Sequence, residues 1–388
     1  MKINKTYKYK LKLTSSQEDC VISWLHTCRA IYNLSLETRM HAYKSIKKNL
    51  SSYDLQKQLT ELKGEDGYEW IKKVPSQSLQ NVIERMDSAY KSFFRGGGFP
   101  KFKNRYSYSS ITLKSIKLDE NTNNFVLPKL GNVKVFWSRE PKGMLKRATI
   151  TKENNSFFIS ILTEQDVNIN PIEYHSDKQA VGIDMGVKHF VVSSDGEYVD
   201  NPQFVKKHKS QLRILQRKLE RQNKGSHNWQ KTKNRITNLH LKTRRQRLDF
   251  LHKTANLFLN PYDFILAEKL QIKNMTKSAK GTIEEPGKNI KQKSGLNRSL
   301  LDLGIGMFFG ILQYKSQWQG KTFFQVPPQY TSQKCSICGY IDKENRKTQS
   351  EFLCIKCGHE QNADENASNN ILREGISHFC QREVLACA

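Results

Sequence analysis

Four cysteines stand as two close pairs, Cys335-Ser-Ile-Cys338 and Cys354-Ile-Lys-Cys357, with fifteen residues between the pairs. A two-residue interval lets paired thiolates occupy adjacent corners of a tetrahedron, and the spacing between the pairs falls at the edge of the zinc-ribbon range. Sulfur would fill all four corners, leaving no open position for a substrate. One structural Zn²⁺ per chain is therefore expected. Gly339 and Gly358 each follow a pair and suit the tight turns that metal binding imposes. Three carboxylates form a second candidate set. Asp184 closes the apolar run Ala180-Val-Gly-Ile-Asp184, Glu268 closes Phe264-Ile-Leu-Ala-Glu268, and Asp364 opens a run with Ala363, Ala367 and Ile371 at helical steps of four. Each acid alone is ordinary, because strand ends are commonly solvated and acids suit the first turn of a helix. Brought together they would repel one another unless a cation compensates. Hard oxygen ligands select Mg²⁺ or Mn²⁺, and such ions can activate water and stabilise the leaving oxygen of a phosphodiester.

The rest of the chain suits a polyanionic partner. In 388 residues, 64 Lys and Arg face 37 Asp and Glu, a net charge of +27 that a nucleic acid would relieve. Sixteen of these cations and only two acids, Glu220 and Asp249, lie between Lys206 and Lys253. A solvated helix face mixes its signs, so this imbalance reads as a phosphate-tracking surface, with Arg244, Arg245 and Arg247 as the foremost contacts. The longest apolar run, Leu303 to Leu312, is half of what a membrane helix needs. The opening MKINKTYKYKLKL lacks the apolar stretch of a secretory signal. Cysteines 20, 28, 380 and 387 are scattered and read as structural or incidental rather than as a disulfide framework. A reducing compartment, the cytoplasm, is the expected location, with no membrane partner.

The elements that must position these residues follow from periodicity. Residues 2–13 alternate as a strand, and Ser15 with Glu18 suggests a capping box. Helical stripes then run through Val21, Trp24, Leu25 and Cys28, and through Leu79, Val82, Ile83 and Met86 to Phe93 and Phe94, all read as core. Gly96 to Gly98 end the second stripe. From residue 110 to 165 short β-rich runs alternate with turns such as Asn121 to Asn124, which suggests a small barrel that the first strand joins. A spacer, Asp166 to Lys178, leads to the strand ending in Asp184. Asn223 to Ser226 divides the basic segment into a helical hairpin, residues 271–297 read as a mobile loop, and Leu300 to Trp318 reads as one helix despite its glycines.

GIDMGVKHF, LAEKL and DENASNNIL, with the cysteine pairs between the second and third, resemble the RuvC-like nuclease of the transposon-encoded TnpB (OrfB) family, which is related to Cas12 effectors. RLDFLHKTANLF at 247–258 is similar to that family's bridging helix, and VPSQSLQNVIERMDSAYKSFFR at 74–95 to its recognition helices. The resemblance covers nearly the whole chain. It implies a mixed architecture: an RNase H-like α/β nuclease with an inserted zinc ribbon, a wedge-like β-barrel and a helical recognition insertion. The implied divisions are residues 1–14 for the first barrel strand, 15–109 for the helical part and 110–178 for the rest of the barrel. Residues 179–330 and 361–388 would form the nuclease, and 331–360 the ribbon. The family's three catalytic, metal-holding acids map onto Asp184, Glu268 and Asp364. One departure is Ala367-Ser368-Asn369-Asn370, where the family more often has two alanines and Asn-Ile; Asp364 is left in place.

The activity so implied is RNA-guided cleavage of double-stranded DNA beside a short adjacent motif, with one chain per guide RNA and products bearing a 5′ phosphate and a 3′ hydroxyl. A basic helical surface can hold a guide–target heteroduplex by its backbone. Gln80 and Tyr90, with Gln77 as the weaker candidate, are potential groove contacts near the adjacent motif. The rivals are a compact Cas12-type CRISPR effector and a non-cleaving RNA-guided regulator, against which the three intact acids argue. A strand-joining transposase would need a catalytic-tyrosine HUH motif, and nothing here resembles one.

Overall fold

Ile3, Tyr7, Tyr9 and Leu11 point inward from β1 (Lys2–Lys12) while Lys2, Lys8, Lys10 and Lys12 face water, the period-two pattern of a half-buried strand. The computed structural model describes residues 2–114, 116–119, 124–168, 172, 174–176, 179–282, 284–348 and 350–386, with side chains to residue 379. The expected turn up to Asn123, parts of the 166–178 spacer, and the side chains of Cys380 and Cys387 lie outside the described residues. The chain divides into two units, Met1–Asn168 and Ile169–Ala388.

In the first unit, β1 is followed by four helices: α1 (Ser15–Ile46), α2 (Ser52–Leu62), α3 (Glu69–Lys72) and α4 (Ser76–Phe94). Six strands follow: β2 (Ser110–Leu113), β3 (Lys117–Asp119), β4 (Asn124–Leu127), β5 (Gly131–Phe136), β6 (Met144–Glu153) and β7 (Ser156–Asp166). They form one antiparallel sheet with β1, in the order β2-β6-β7-β1-β5-β4-β3. That order leaves β2 and β3 as separate edges, so among the described residues the hydrogen-bonded ladder is open rather than a closed barrel. The cap of α1 lies one residue earlier than Ser15: Thr14 accepts from the Gln17 N–H, and the Gln17 side chain accepts in return from the Thr14 N–H. Gln17 also donates to the carbonyls of Leu130 and Asn132, a tertiary tie that local spacing does not reveal. Leu79, Val82, Ile83 and Met86 of α4 are buried, but Phe94 stands outside the core.

The second unit is built on a five-stranded sheet. β8 (Ala180–Asp184), β9 (His189–Ser193) and β10 (Tyr198–Asp200) run as an antiparallel meander. The basic hairpin of α5 (Phe204–Glu220) and α6 (His227–Leu259) then leads to β11 (Phe264–Glu268). After α7 (Ile272–Met275), α8 (Ile290–Leu303) and α9 (Ile305–Gln319) comes β12 (Thr322–Val326), so the sheet reads β10-β9-β8-β11-β12 with β8, β11 and β12 parallel. Val181, Ile183, Ile265 and Ala267 pack on one face against α6 and α9, through Leu251, Phe258, Phe308 and Leu312. Leu266 and Val326 pack on the other face against Ile371 of α10 (Ala363–Ala386). Before α10, the short strands β13 (Glu351–Leu353) and β14 (Glu360–Asn362) pair within the cysteine-bearing segment.

Two expectations change here. Helix begins at Ile290, inside the stretch read as a loop, because Lys293 and Asn297 donate to the carbonyls of Met275, Thr276 and Lys277 at the end of α7. The presumed single helix is also broken at Gly304, where φ is +70°. Taken as one helix, 290–319 would be long and apolar enough to cross a membrane. Broken, its halves have 14 and 15 residues, each shorter than the roughly 20 that a span needs. Leu303, Phe308 and Leu312 are spent on the core.

Candidate functional site

β8 and β11 share one burial pattern: four buried residues, then a half-buried carboxylate. Their parallel register pairs Ala180 with Phe264 and Ile183 with Ala267, so Asp184 and Glu268 emerge side by side at the carboxyl edge of the sheet. Asp364, second residue of α10, approaches the same edge because α10 lies directly on β8. Gly182 makes that approach feasible: a Cβ there would stand 2.2 Å from the Ser368 carbonyl oxygen and 2.7 Å from the Leu372 nitrogen. The Asp364 N–H donates to Asn362 Oδ1 (2.9 Å), which fixes the start of the helix. Arg346 reaches in from the cysteine-bearing segment, its guanidinium 3.5 Å from the Asp364 carboxylate.

The electrostatics agree with that placement. The Asp184 carboxyl is pushed up to about 7, first by burial and then by the charges of Asp364 and Glu268. The Met185 N–H, donated to Asp184 at 2.9 Å, and the Arg346 charge oppose the rise. Burial also raises Glu268, against a 3.5 Å hydrogen bond from the Thr331 hydroxyl. Asp263, the other acid in the sequence segment leading to Glu268, precedes β11 at its opposite end and pairs with Lys321 (3.1 Å).

The four cysteine sulfurs all lie within 4.8 Å of one another. Cys335 and Cys357 are 3.7 Å apart at sulfur, and Cys338 and Cys354 are 3.6 Å apart. A tetrahedral site with Zn–S bonds near 2.3 Å calls for sulfurs roughly 3.8 Å apart, so the donor set fits that ion. The two turns repeat the same bonds. Gly339 and Gly358, both at φ +71°, donate to the Cys335 and Cys354 carbonyls at 3.0 and 2.9 Å. The Cys335 and Cys354 N–H groups donate to Tyr340 and His359. Buried Asn345 binds the turns together by donating to the Gln333 and Tyr340 carbonyls and accepting from the Ile355 N–H.

Sequence periodicity missed the residues that join the module to the acids. Asn366 accepts from the Ser336 N–H and donates to the Lys334 carbonyl, both at 2.9 Å. Asn370 donates to the carbonyls of Thr331 (2.9 Å) and Lys334 (2.7 Å). Both side chains are buried. The available signal was two asparagines four residues apart, one helical turn, in a helix with no other reason to bury amides.

The nucleic-acid candidates are less uniform. Arg244 and Arg245 are exposed on α6. Arg247 is half-buried instead and donates to the Asp302 carbonyl at 2.8 Å while pairing with its carboxylate, so it ties α6 to α8 rather than facing a phosphate. In the first unit, Gln77 and Gln80 are exposed on α4. Tyr90 is buried, with the Arg39 guanidinium 4.3 Å from its ring centre and Phe99 edge-on at 5.6 Å. Arg39 also binds Asp87 at 2.8 Å, so Tyr90 belongs to a buried polar cluster and presents no face for a groove contact.

Comparisons with known proteins agree with this architecture. Residues 160–279 match the OrfB_IS605 family, described as "Probable transposase", and residues 306–371 match the "Cas12f1-like, TNB domain" family. Residues 1–48 match a family described as "Helix-turn-helix domain", although here they form one strand and the start-to-end length of one helix. The whole chain is 37% identical over 389 aligned residues to an Escherichia coli K12 protein named "Putative RNA-guided DNA endonuclease InsQ", covering 94% of it. It is 25% identical to a "Putative RNA-guided DNA endonuclease" of Streptomyces pristinaespiralis, covering 97% of this chain and 90% of that one. A solved Cas12f1–guide RNA–target DNA complex has a protein chain of similar fold, with a TM-score of 0.57 at 14% identity over 96% of this chain and 99% of that one. The chain belongs to the OrfB (TnpB) family of transposon-encoded RNA-guided nucleases.

Proposed function

We propose that this chain is an RNA-guided DNA endonuclease whose second unit is an RNase H-like, RuvC-type nuclease carrying a zinc ribbon. The observation that carries it is the convergence of Asp184, Glu268 and Asp364 from two parallel strand ends and one helix start, with Asp184 raised to about 7 by burial and its acidic neighbours. An arrangement that costs this much charge repulsion is suited to holding cations. A divalent cation held by Asp184, Glu268 and Asp364, Mg²⁺ or Mn²⁺, would supply water activation and stabilise the leaving oxygen of the scissile phosphodiester. The chain's own part is positional. Strands β8 and β11 present two carboxylates at a fixed spacing, and α10 brings the third, held down on Gly182. Arg346 offsets the negative charge from the module side, and no side chain need act as a nucleophile.

Zn²⁺ at Cys335, Cys338, Cys354 and Cys357 has a structural role in this proposal, because Asn366 and Asn370 transmit the module's position to the helix bearing Asp364. Guide RNA and double-stranded DNA are the partners, one chain per guide, acting in the cytoplasm where thiols stay reduced. The Cas12f1-like match over residues 306–371 favours a Cas12-type effector as the second reading, but two relatives aligned over 97% or more of this chain are named RNA-guided DNA endonucleases rather than CRISPR-associated ones.

Protein purified from cells carrying its native flanking DNA should retain a discrete RNA, and that RNA should direct cleavage of matching DNA. RNA should dissociate steeply with salt through counterion release. Arg244→Ala with Arg245→Ala should shallow that dependence by about two phosphate contacts at most, read as the slope of log affinity on log salt. Full-rate cleavage of matched DNA by protein stripped of RNA would contradict the guide role.

A further inference from the structure

Between α4 and β2 the chain reads Phe94-Arg95-Gly96-Gly97-Gly98-Phe99-Pro100-Lys101-Phe102-Lys103-Asn104-Arg105-Tyr106, alternating rings with cations. Phe94 is 72% exposed, Phe102 54%, Tyr106 77% and Phe99 44%. A lone exposed apolar side chain is ordinary, whereas four aromatic rings facing water within thirteen residues mark a contact surface. The segment is also held in place. Asn33 of α1 accepts from the Lys103 N–H (2.7 Å) and donates to its carbonyl (3.0 Å). Asn104 Oδ1 accepts from the N–H groups of Tyr106 (3.0 Å) and Ser107 (2.9 Å). Phe99 packs edge-on against Tyr90 (5.6 Å) and Phe93 (5.2 Å). The backbone is anchored inward while the rings are left outward.

The charge around these rings identifies the partner. No Asp or Glu occurs between Asp87 and Asp119, and Arg95, Lys101 and Arg105 are exposed. Flat faces interleaved with cations of one sign fit a partner with π faces on an anionic backbone, which is an unpaired stretch of nucleic acid. RNA is favoured over DNA by residence. Exposed rings invite aggregation unless covered for most of the protein's life, and a guide stays bound where a target strand only visits.

We propose that residues 94–106 form a platform on which unpaired bases of the guide RNA stack, with Arg95, Lys101 and Arg105 on its phosphates; this rests on the guide-RNA role proposed above. Ultraviolet crosslinking of the RNA-loaded protein, followed by peptide mapping, should place RNA adducts on this segment. Titration of the full chain with a fluorescent oligouridine should show affinity falling about tenfold or more in Phe94→Ala/Phe102→Ala, and retained in Phe94→Tyr. Both altered side chains are largely exposed, so the melting temperature should stay near that of the wild type. An unchanged oligouridine affinity in the double variant, or adducts at these rings from the target DNA strand alone, would overturn the platform while leaving the guide role standing. Wild-type protein that retains no RNA would instead remove the guide role, and the platform with it.

Discussion

Among the acids of the proposed site, Asp184 is the one on which burial and neighbouring charge converge. Its pKa rises from an ordinary 3.8 to about 7, through burial first and the charges of Asp364 and Glu268 next. Between those values the folded chain keeps a proton that the unfolded chain has released, so stability should fall as pH rises across that window. Glu268, raised by its own burial, acts in the same direction. Thermal unfolding of the zinc-loaded protein in buffer without Mg²⁺ should therefore show the melting temperature declining from about pH 4 to about pH 7 relative to Asp184→Asn, in which this contribution is absent. Added Mg²⁺ should recover stability above pH 7 in the wild type and not in the variant. A pH profile identical in the two proteins would show that Asp184 is not held among repelling charges. Arg346→Ala removes a cation that opposes the rise, and should move the wild-type decline to higher pH.

At the scale of elements, the central contact is α10 on β8. Gly182→Ala puts a methyl group 2.2 Å from the Ser368 carbonyl oxygen, against backbone that cannot swing aside. The helix must shift and take Asp364 with it. A loss of about 1–3 kcal/mol in stability, with a larger fractional loss of cleavage, is expected, and denaturant unfolding beside a cleavage assay would measure both. The module presses on the same helix from the other side. Cys335→Ser should lower zinc content below one per chain and reduce stability and cleavage together; full activity without zinc would remove its structural role. Asn370→Ala should retain zinc while taking this donor from the Thr331 carbonyl and leaving Asn366 as the side-chain donor to the Lys334 carbonyl, at about 1–3 kcal/mol. These contacts were not legible beforehand. Runs such as Ala180 to Asp184 and Phe264 to Glu268 announce buried strands ending in acids, and the cysteine spacing announces a tetrahedral knot, because both are local. Arg247 looked like its neighbours Arg244 and Arg245, but its partner Asp302 lies 55 residues away, and no local pattern carries that pairing. Tyr90 was misread for the same reason, since the guanidinium on its ring comes from Arg39, 51 residues away. Gly304 marks the opposite failure, a local breaker noted but outweighed by the apolar run around it.

For the whole molecule, +27 of net charge and three acids at one sheet edge make opposite demands on the same chain. In the proposed function, cations spread over its surface would bind a polyanion, while the acids would work only where the scissile phosphate is delivered. Binding and cutting should therefore separate under mutation. The direct measurement is cleavage of guide-matched double-stranded DNA in Mg²⁺ by the RNA-loaded protein, with target binding followed in parallel, for wild type, Asp184→Ala, Glu268→Ala and Asp364→Ala. Each variant should lose cleavage and keep guide and target affinity close to wild type. Asp184→Ala combined with Glu268→Ala should be no worse than either alone, because removing one ligand disables a shared site. Ordinary cleavage by any one of the three single variants, with its binding intact, would contradict the assignment of these acids as the catalytic centre.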